Sequence, residues 1–232
     1  MRLFEIESDI SFYARPLAGK VNPSIKHKLT QPKGLEHLGS GVATTVYQKK
    51  TQPHEVKKIT FHVVDFYESY LFEFLKVCIE HQGNPFFPKI YSVQVLRERD
   101  HGYFAVYVTM EKLHQLEDLT WGEISFLYRK LFDISVKKAT ELRAIRDKED
   151  AIIFLARLVK TQVDKIHGLN VPAYGVKPSP QLEMALRELG SILKKVPGAF
   201  ADIHKDNIMF RRTPYGVQLV LSDPVHRYSD ID

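Results

Sequence analysis

Between residues 35 and 61 the pattern of apolar and polar positions turns to β, in short runs bounded by turn residues. A glycine-containing turn, Gly39-Ser40-Gly41, leads into Thr44-Thr45-Val46-Tyr47, and a turn at Pro53 leads into Val56 to Phe61. Residues 65–82 then change to a helical period, with Leu71, Leu75, Cys78 and Ile79 on one face, ended by Gly83-Asn84-Pro85. Lys89 to Leu96 and Tyr103 to Met110 read as an antiparallel pair across the turn at Arg97–Gly102. Beyond Glu111 apolar residues recur at helical spacing through 121–140 and 150–167, and most regularly at Leu182, Ala185, Leu186, Leu189, Ile192 and Leu193. A loop over Gly198–Asn207 precedes two short strands, Ile208–Phe210 and Val217–Leu221, around a turn at Thr213–Gly216. Strands come first and helices after, which predicts an α+β fold in two lobes rather than alternating βα units. The expected layout is an N-terminal extension over 1–34, whose Pro16, Pro23 and Pro32 prevent a long helix, a β-rich lobe over 35–110 and a mostly helical lobe over 111–232, hinged at Met110–His114.

Composition narrows the class. With 44% hydrophobic and 11% aromatic residues in 232, the chain buries a core and is no disordered linker. A net charge of +5 is mild; it suits contact with nucleotides or polyanions but does not make nucleic acid an expected partner. One cysteine, Cys78, excludes an intrachain disulfide and a CxxC metal site. Acidic residues in Met1–Glu7 stand where a signal peptide would be apolar. The most apolar helical stretch, Ala151–Val159, is about half a membrane span and contains Arg157. The expectation is a cytoplasmic protein with no membrane partner.

The candidate chemistry is concentrated near the C-terminus. Ala201-Asp202-Ile203-His204-Lys205-Asp206-Asn207-Ile208 offers an Asp and, at the spacing D-x-x-x-x-N, an Asn; Leu219-Val220-Leu221-Ser222-Asp223 then places a second Asp at the end of a strand. Phosphoryl transfer needs such a set: a carboxylate to orient the attacking hydroxyl and accept its proton, and an amide oxygen with another carboxylate to hold the metal that bridges the phosphates. Taken singly, each of these residues is as well explained as a polar loop residue or a cap.

The catalytic-loop stretch resembles that of the protein-kinase-like superfamily, near the D-[IL]-H-x-x-N-I form of aminoglycoside phosphotransferases. With Ser222-Asp223-Pro224-Val225 it is most similar to the T7-type phage serine/threonine protein kinases. The resemblance implies an ATP- and Mg²⁺-dependent enzyme in which Asp202 is the catalytic base, Asn207 and Asp223 hold the metal, and His204 stands where protein kinases carry a phosphate-contacting Lys. It also identifies Leu38 to Val46 with the glycine-rich loop: Gly39, Ser40 and Gly41 would approach the phosphates and Val46 would lie over the adenine. In Val56-Lys57-Lys58-Ile59 alternation cannot turn both lysines inward; matching to the family selects Lys58 for the phosphates, with Lys57 the fallback. The helix over 65–82 should supply a Glu for that Lys. Glu68 borders the face of Leu71, Phe72 and Leu75, whereas Glu73 has the more usual sequence distance. Glu111 and Leu113 match the segment whose backbone pairs with adenine.

Departures from the family pattern shape the expectation. Thr44 replaces the third glycine, Pro224 follows Asp223 in place of Phe-Gly, and nine residues of the 232 follow Asp223, so neither a DFG-type flip nor an activation segment is expected. By resemblance the substrate is a host protein met during phage infection, often part of the transcription machinery, which would place the protein in the host cytoplasm. Two other functions stay open: an aminoglycoside-type small-molecule kinase, and a catalytically degenerate kinase fold that binds and inhibits a host factor.

Overall fold

The computed structural model of the chain describes residues 35–40, 44–63, 70–97, 103–142, 145–171 and 174–227. They adopt an α+β fold in two compact units: the described residues of 35–63 with those of 89–112, and the described residues of 70–88 with those of 113–227. The 1–34 extension, Gly41 and Glu68 lie outside the described residues.

The first unit is an antiparallel sheet. Its strands are β1 (Leu35–Ser40), β2 (Thr44–Lys49), β3 (Glu55–Val63), β4 (Ile90–Arg97) and β5 (Tyr103–Glu111), in the order β1-β2-β3-β5-β4. The β4–β5 pairing matches expectation. The first turn does not: Gly39 and Ser40 are inside β1, opposite Val46 and Thr45, after a register shift between His37 and Gly39. The pairing of Gly39 and Ser40 extends the strand past the point where the sequence reading placed the turn.

In the second unit, helix α1 (Tyr70–Glu80) joins the later part of the chain. It is held there by Lys195, whose Nζ lies 2.6 Å from Glu73 Oε2. The loop after it is fixed too: Phe86 O accepts from Leu221 N–H at 2.8 Å and Phe87 O from Arg211 Nη2 at 2.6 Å. The unit continues through β6 (His114–Gln115), a 3₁₀ turn (Leu116–Asp118), α2 (Trp121–Phe132), α3 (Val136–Leu142), α4 (Lys148–Ile166) and α5 (Pro180–Lys195). It ends in β7 (Ala199–Ala201), β8 (Ile208–Thr213), β9 (Gly216–Leu221) and β10 (Val225–Arg227). Strands β6, β8 and β9 form one sheet and β7 with β10 another.

Two features depart from the sequence reading. The stretch 121–140 is two helices, because Asp133 takes the left-handed conformation (φ 53°) and returns its N–H to Arg129 O at 2.9 Å. Asp is among the few residues that adopt that conformation at low cost, so it ends α2 as a glycine would. The loop 198–207 also begins as a strand, since Ala199–Ala201 pairs with Val225–Arg227.

Helix starts carry their own signals. Ser179 caps α5 with Pro180 in its first turn, and Asp147 caps α4 by accepting from Asp150 N–H at 2.8 Å. At α2, Thr120 and Glu123 form a reciprocal capping box, and Glu123 also binds Arg212 of β8. Thr120→Ala should therefore cost about 1 kcal/mol, read as a lower urea midpoint with an unchanged slope. No loss would show that Glu123 alone satisfies the helix end. The core of this unit is apolar and includes Leu127, Leu131, Phe154, Leu158 and Leu186, all fully buried. Its buried phenol, Tyr128, donates to Ala151 O at 2.7 Å, and burial pushes the pKa of that phenol up.

Candidate active site

Strand β7 runs straight into Asp202 and strand β9 ends two residues before Asp223. The two carboxylate-bearing segments are then tied together by backbone groups. Asp202 N–H donates to Pro224 O at 3.0 Å. The carbonyl of Asn207 accepts from Ser222 N–H at 3.1 Å, from Asp223 N–H at 3.3 Å and from the Ser222 hydroxyl at 3.1 Å. The side chain of Asn207 folds back the other way: its Nδ2 donates to Asp202 O at 2.8 Å and to Asp202 Oδ2 at 2.9 Å. One residue thus joins both carboxylate segments, by its amide to Asp202 and by its backbone to Asp223. The spacing D-x-x-x-x-N is what the tight turn Lys205–Asn207 needs, because Asn207 N–H closes it on His204 O at 3.1 Å.

The remaining loop residues frame this set. His204 is half exposed, with Nε2 3.7 Å from Asp202 Oδ1 and Nδ1 3.3 Å from Asp206 Oδ2. As a neutral ring it accepts Asp206 N–H at Nδ1 (3.2 Å), which assigns the ring proton to Nε2, on the side of Asp202. A doubly protonated ring would exchange that bond for one to the Asp206 carboxylate. Lys205 anchors the loop outward, 3.0 Å from Glu149 of α4 and 3.4 Å from Glu117 of the 3₁₀ turn, and these partners push its pKa up.

The donor set suits a magnesium ion. With both Nδ2 hydrogens engaged by Asp202, Asn207 keeps Oδ1 as a hard oxygen donor, and Asp223 adds a carboxylate. Mg²⁺ characteristically takes one or two protein oxygens and completes its shell with water and phosphate. Among the described residues no group of three or more His, Cys, Asp and Glu able to hold a metal ion occurs.

Within the first unit, register places the other candidates. Lys58 stands directly opposite Val46 on β2 and Val108 on β5, so these three share one face of the sheet. Lys57 points to the other face, opposite Tyr47 and Thr109, and is exposed. The lysine assigned to phosphate and the valine assigned to adenine are therefore neighbours. A Cβ added at Gly39 would meet nothing within 4 Å, so its surroundings are open. Glu111 N–H donates to Lys89 O at 3.0 Å, and its Oε1 accepts from Lys89 N–H at 2.8 Å. Leu113 is buried in the second unit. Of the two glutamates considered for Lys58, Glu73 is engaged by Lys195.

One residue near the carboxylates escaped the sequence reading. Tyr70 stacks on His226 of β10, with ring centroids 5.3 Å apart at 29°, and His226 in turn meets Phe200 of β7 at 5.7 Å. Burial, then the charges of Asp223 and Asp202, push the Tyr70 phenol up to about 12. An aromatic beside Leu71 on a helix reads as ordinary core, and nothing local marks it otherwise.

No protein-family model and no curated protein matches the chain. Among the described residues no helix is long and apolar enough to cross a membrane.

Proposed function

We propose that the protein is an ATP- and Mg²⁺-dependent phosphotransferase with a two-lobed, kinase-like fold, acting on a protein hydroxyl as the resemblance to phage serine/threonine kinases implies. The observation that supports this reading best is the double tie made by Asn207, whose amide N–H groups bind Asp202 and whose backbone carbonyl binds the backbone N–H of Asp223. Each member then has a task. Asp202 orients the substrate hydroxyl and takes its proton as the oxygen attacks the γ-phosphorus; the bond to the β,γ-bridging oxygen breaks and ADP leaves with the electron pair. Asn207 Oδ1 and the Asp223 carboxylate would hold a magnesium ion, which would supply neutralisation of charge on the phosphates. His204 carries an N–H on the side of Asp202, the position assigned to phosphate contact. Lys58, beside Val46 on its sheet, is the residue that the resemblance assigns to the nucleotide phosphates.

The test is transfer of labelled γ-phosphate to proteins of a bacterial lysate with Mg²⁺, comparing the wild type with Asp202→Ala and Asp223→Ala. Label on protein that both variants lose is the expected result. Equal labelling by the variants, or no label on any protein including the enzyme itself, would overturn the assignment.

A further inference from the structure

The proposed chemistry depends on how Asp202 and Asp223 are spaced, and the spacing is set by a very short ladder. Strands β7 and β10 pair over three positions only: Val225 with Ala201, His226 with Phe200, and Arg227 with Ala199. Asp202 leaves one end of this ladder, and the Asp223-Pro224 segment enters at the same end, closed by Asp202 N–H to Pro224 O. A three-residue pair has little stability of its own and needs packing to hold register.

That packing is aromatic. His226 and Phe200 are direct cross-strand partners, and their rings meet at 5.7 Å, 43° apart. Tyr70 lies on the His226 ring in a stacked arrangement at 5.3 Å. The helix bearing Tyr70 is held by its buried Leu71, Phe74, Leu75, Val77 and Cys78, and one turn further on Glu73 also meets Lys195. Tyr70 is thus the point at which a held helix bears on the ladder.

We infer that Tyr70 is a positioning residue for the phosphoryl-transfer site, holding through His226 and Phe200 the strand pair that sets Asp202 against Asp223. The inference rests on the proposed function for its meaning and on ring geometry for its substance.

The test uses the full chain, with turnover and direct Mn²⁺ binding by electron paramagnetic resonance as separate readouts. Tyr70→Ala is expected to lower kcat and weaken Mn²⁺ binding by roughly 10–100-fold, the usual cost of losing support behind a metal ligand, with KM for ATP little changed. Tyr70→Phe keeps the ring and should recover both. His226→Ala removes the other half of the stack at an exposed position, so it carries the test if Tyr70→Ala does not fold. The double variant should be no worse than His226→Ala alone, because loss of His226 already removes the Tyr70 stack together with its own contact to Phe200. A merely structural role would lower the melting temperature without separating kcat from KM or touching Mn²⁺ affinity. Folded Tyr70→Ala and His226→Ala proteins with wild-type turnover and Mn²⁺ binding would overturn the inference and leave the phosphotransferase reading standing. A wild type that binds Mn²⁺ but transfers no phosphate would sink that reading; a drop in Mn²⁺ affinity in Tyr70→Ala would still support the positioning role, and an unchanged affinity would overturn it.

Discussion

Asp202→Asn is expected to reduce phosphate transfer by about 10²–10⁴-fold, the usual contribution of a positioned general base. The amide is close in shape to the carboxylate and still presents an oxygen to Asn207 Nδ2, so the 2.8 Å and 2.9 Å bonds that close the loop have acceptors in the variant. What is lost is the group able to take the hydroxyl proton. The barrier then rises by about 3–5 kcal/mol while the Asn207 and Asp223 oxygens are unchanged, so Mn²⁺ affinity and thermal stability should stay near wild type. Asp202→Ala goes further, because it also takes one acceptor from the Asn207 amide. If Asp202→Asn turns over as the wild type does, Asp202 is a structural acceptor and the base lies elsewhere.

Phe154→Ala has the largest expected effect on stability. The ring is fully buried in α4 and meets Tyr174 edge-on, at 5.3 Å and 84°. Removing it opens a cavity between helices that cannot collapse without moving their backbones, at a cost of about 3–5 kcal/mol. At a urea slope of about 2–3 kcal/mol/M the midpoint of the second unit should drop by roughly 1–2.5 M. Met184→Ala on α5, an exposed position, is the control and should shift it little. A loss below about 1 kcal/mol would mean that the surrounding side chains refill the space.

The parts of the fold that could be read in advance are those with a local cause. The run from Leu182 to Leu193 carries a full helical period, so the body of α5 could be read, while its start at Ser179 and Pro180 comes from the structure. Strand β2 over Thr44–Tyr47 and strand β5 over Val106–Met110 alternate as half-buried strands must, whereas β3 and β4 do not keep that period. What could not be read is what depends on distant partners. Ala199–Ala201 is too short to show a period, and it is a strand only because Val225–Arg227 returns beside it. The grouping of α1 with the later helices rests on contacts such as Glu73–Lys195, which are 122 residues apart. The break at Asp133 needs one residue in an unusual conformation, and Asp has no sequence context there that announces it.

The candidate site divides along the same line. Asp202 and Asn207 were legible together because their spacing is a consequence of one turn. Alternation alone could not choose between Lys57 and Lys58; the register that sets Lys58 beside Val46 and Val108 is a property of three strands. The work of Pro224 and Ser222, a backbone acceptor and a hydroxyl donor to Asn207, has no side-chain signature that a motif could record.

The hairpin β8–β9 leaves from Asn207 and returns to the carbonyl of that same residue. Its excursion therefore begins and ends at one atom, and the register in between is a continuous six-pair ladder from Ile208–Leu221 to Thr213–Gly216. Six residues of strand carry its tip about 20 Å from the carboxylates. At that tip Tyr215 is 89% exposed. For anyone who needs to graft an affinity handle or a fluorophore onto this protein, the peptide between Pro214 and Tyr215 is the place where added length burdens no core side chain. The closed base of the hairpin would insulate the acid pair from the graft, so one immobilised or labelled protein could serve for the kinetic comparisons that the assignment requires.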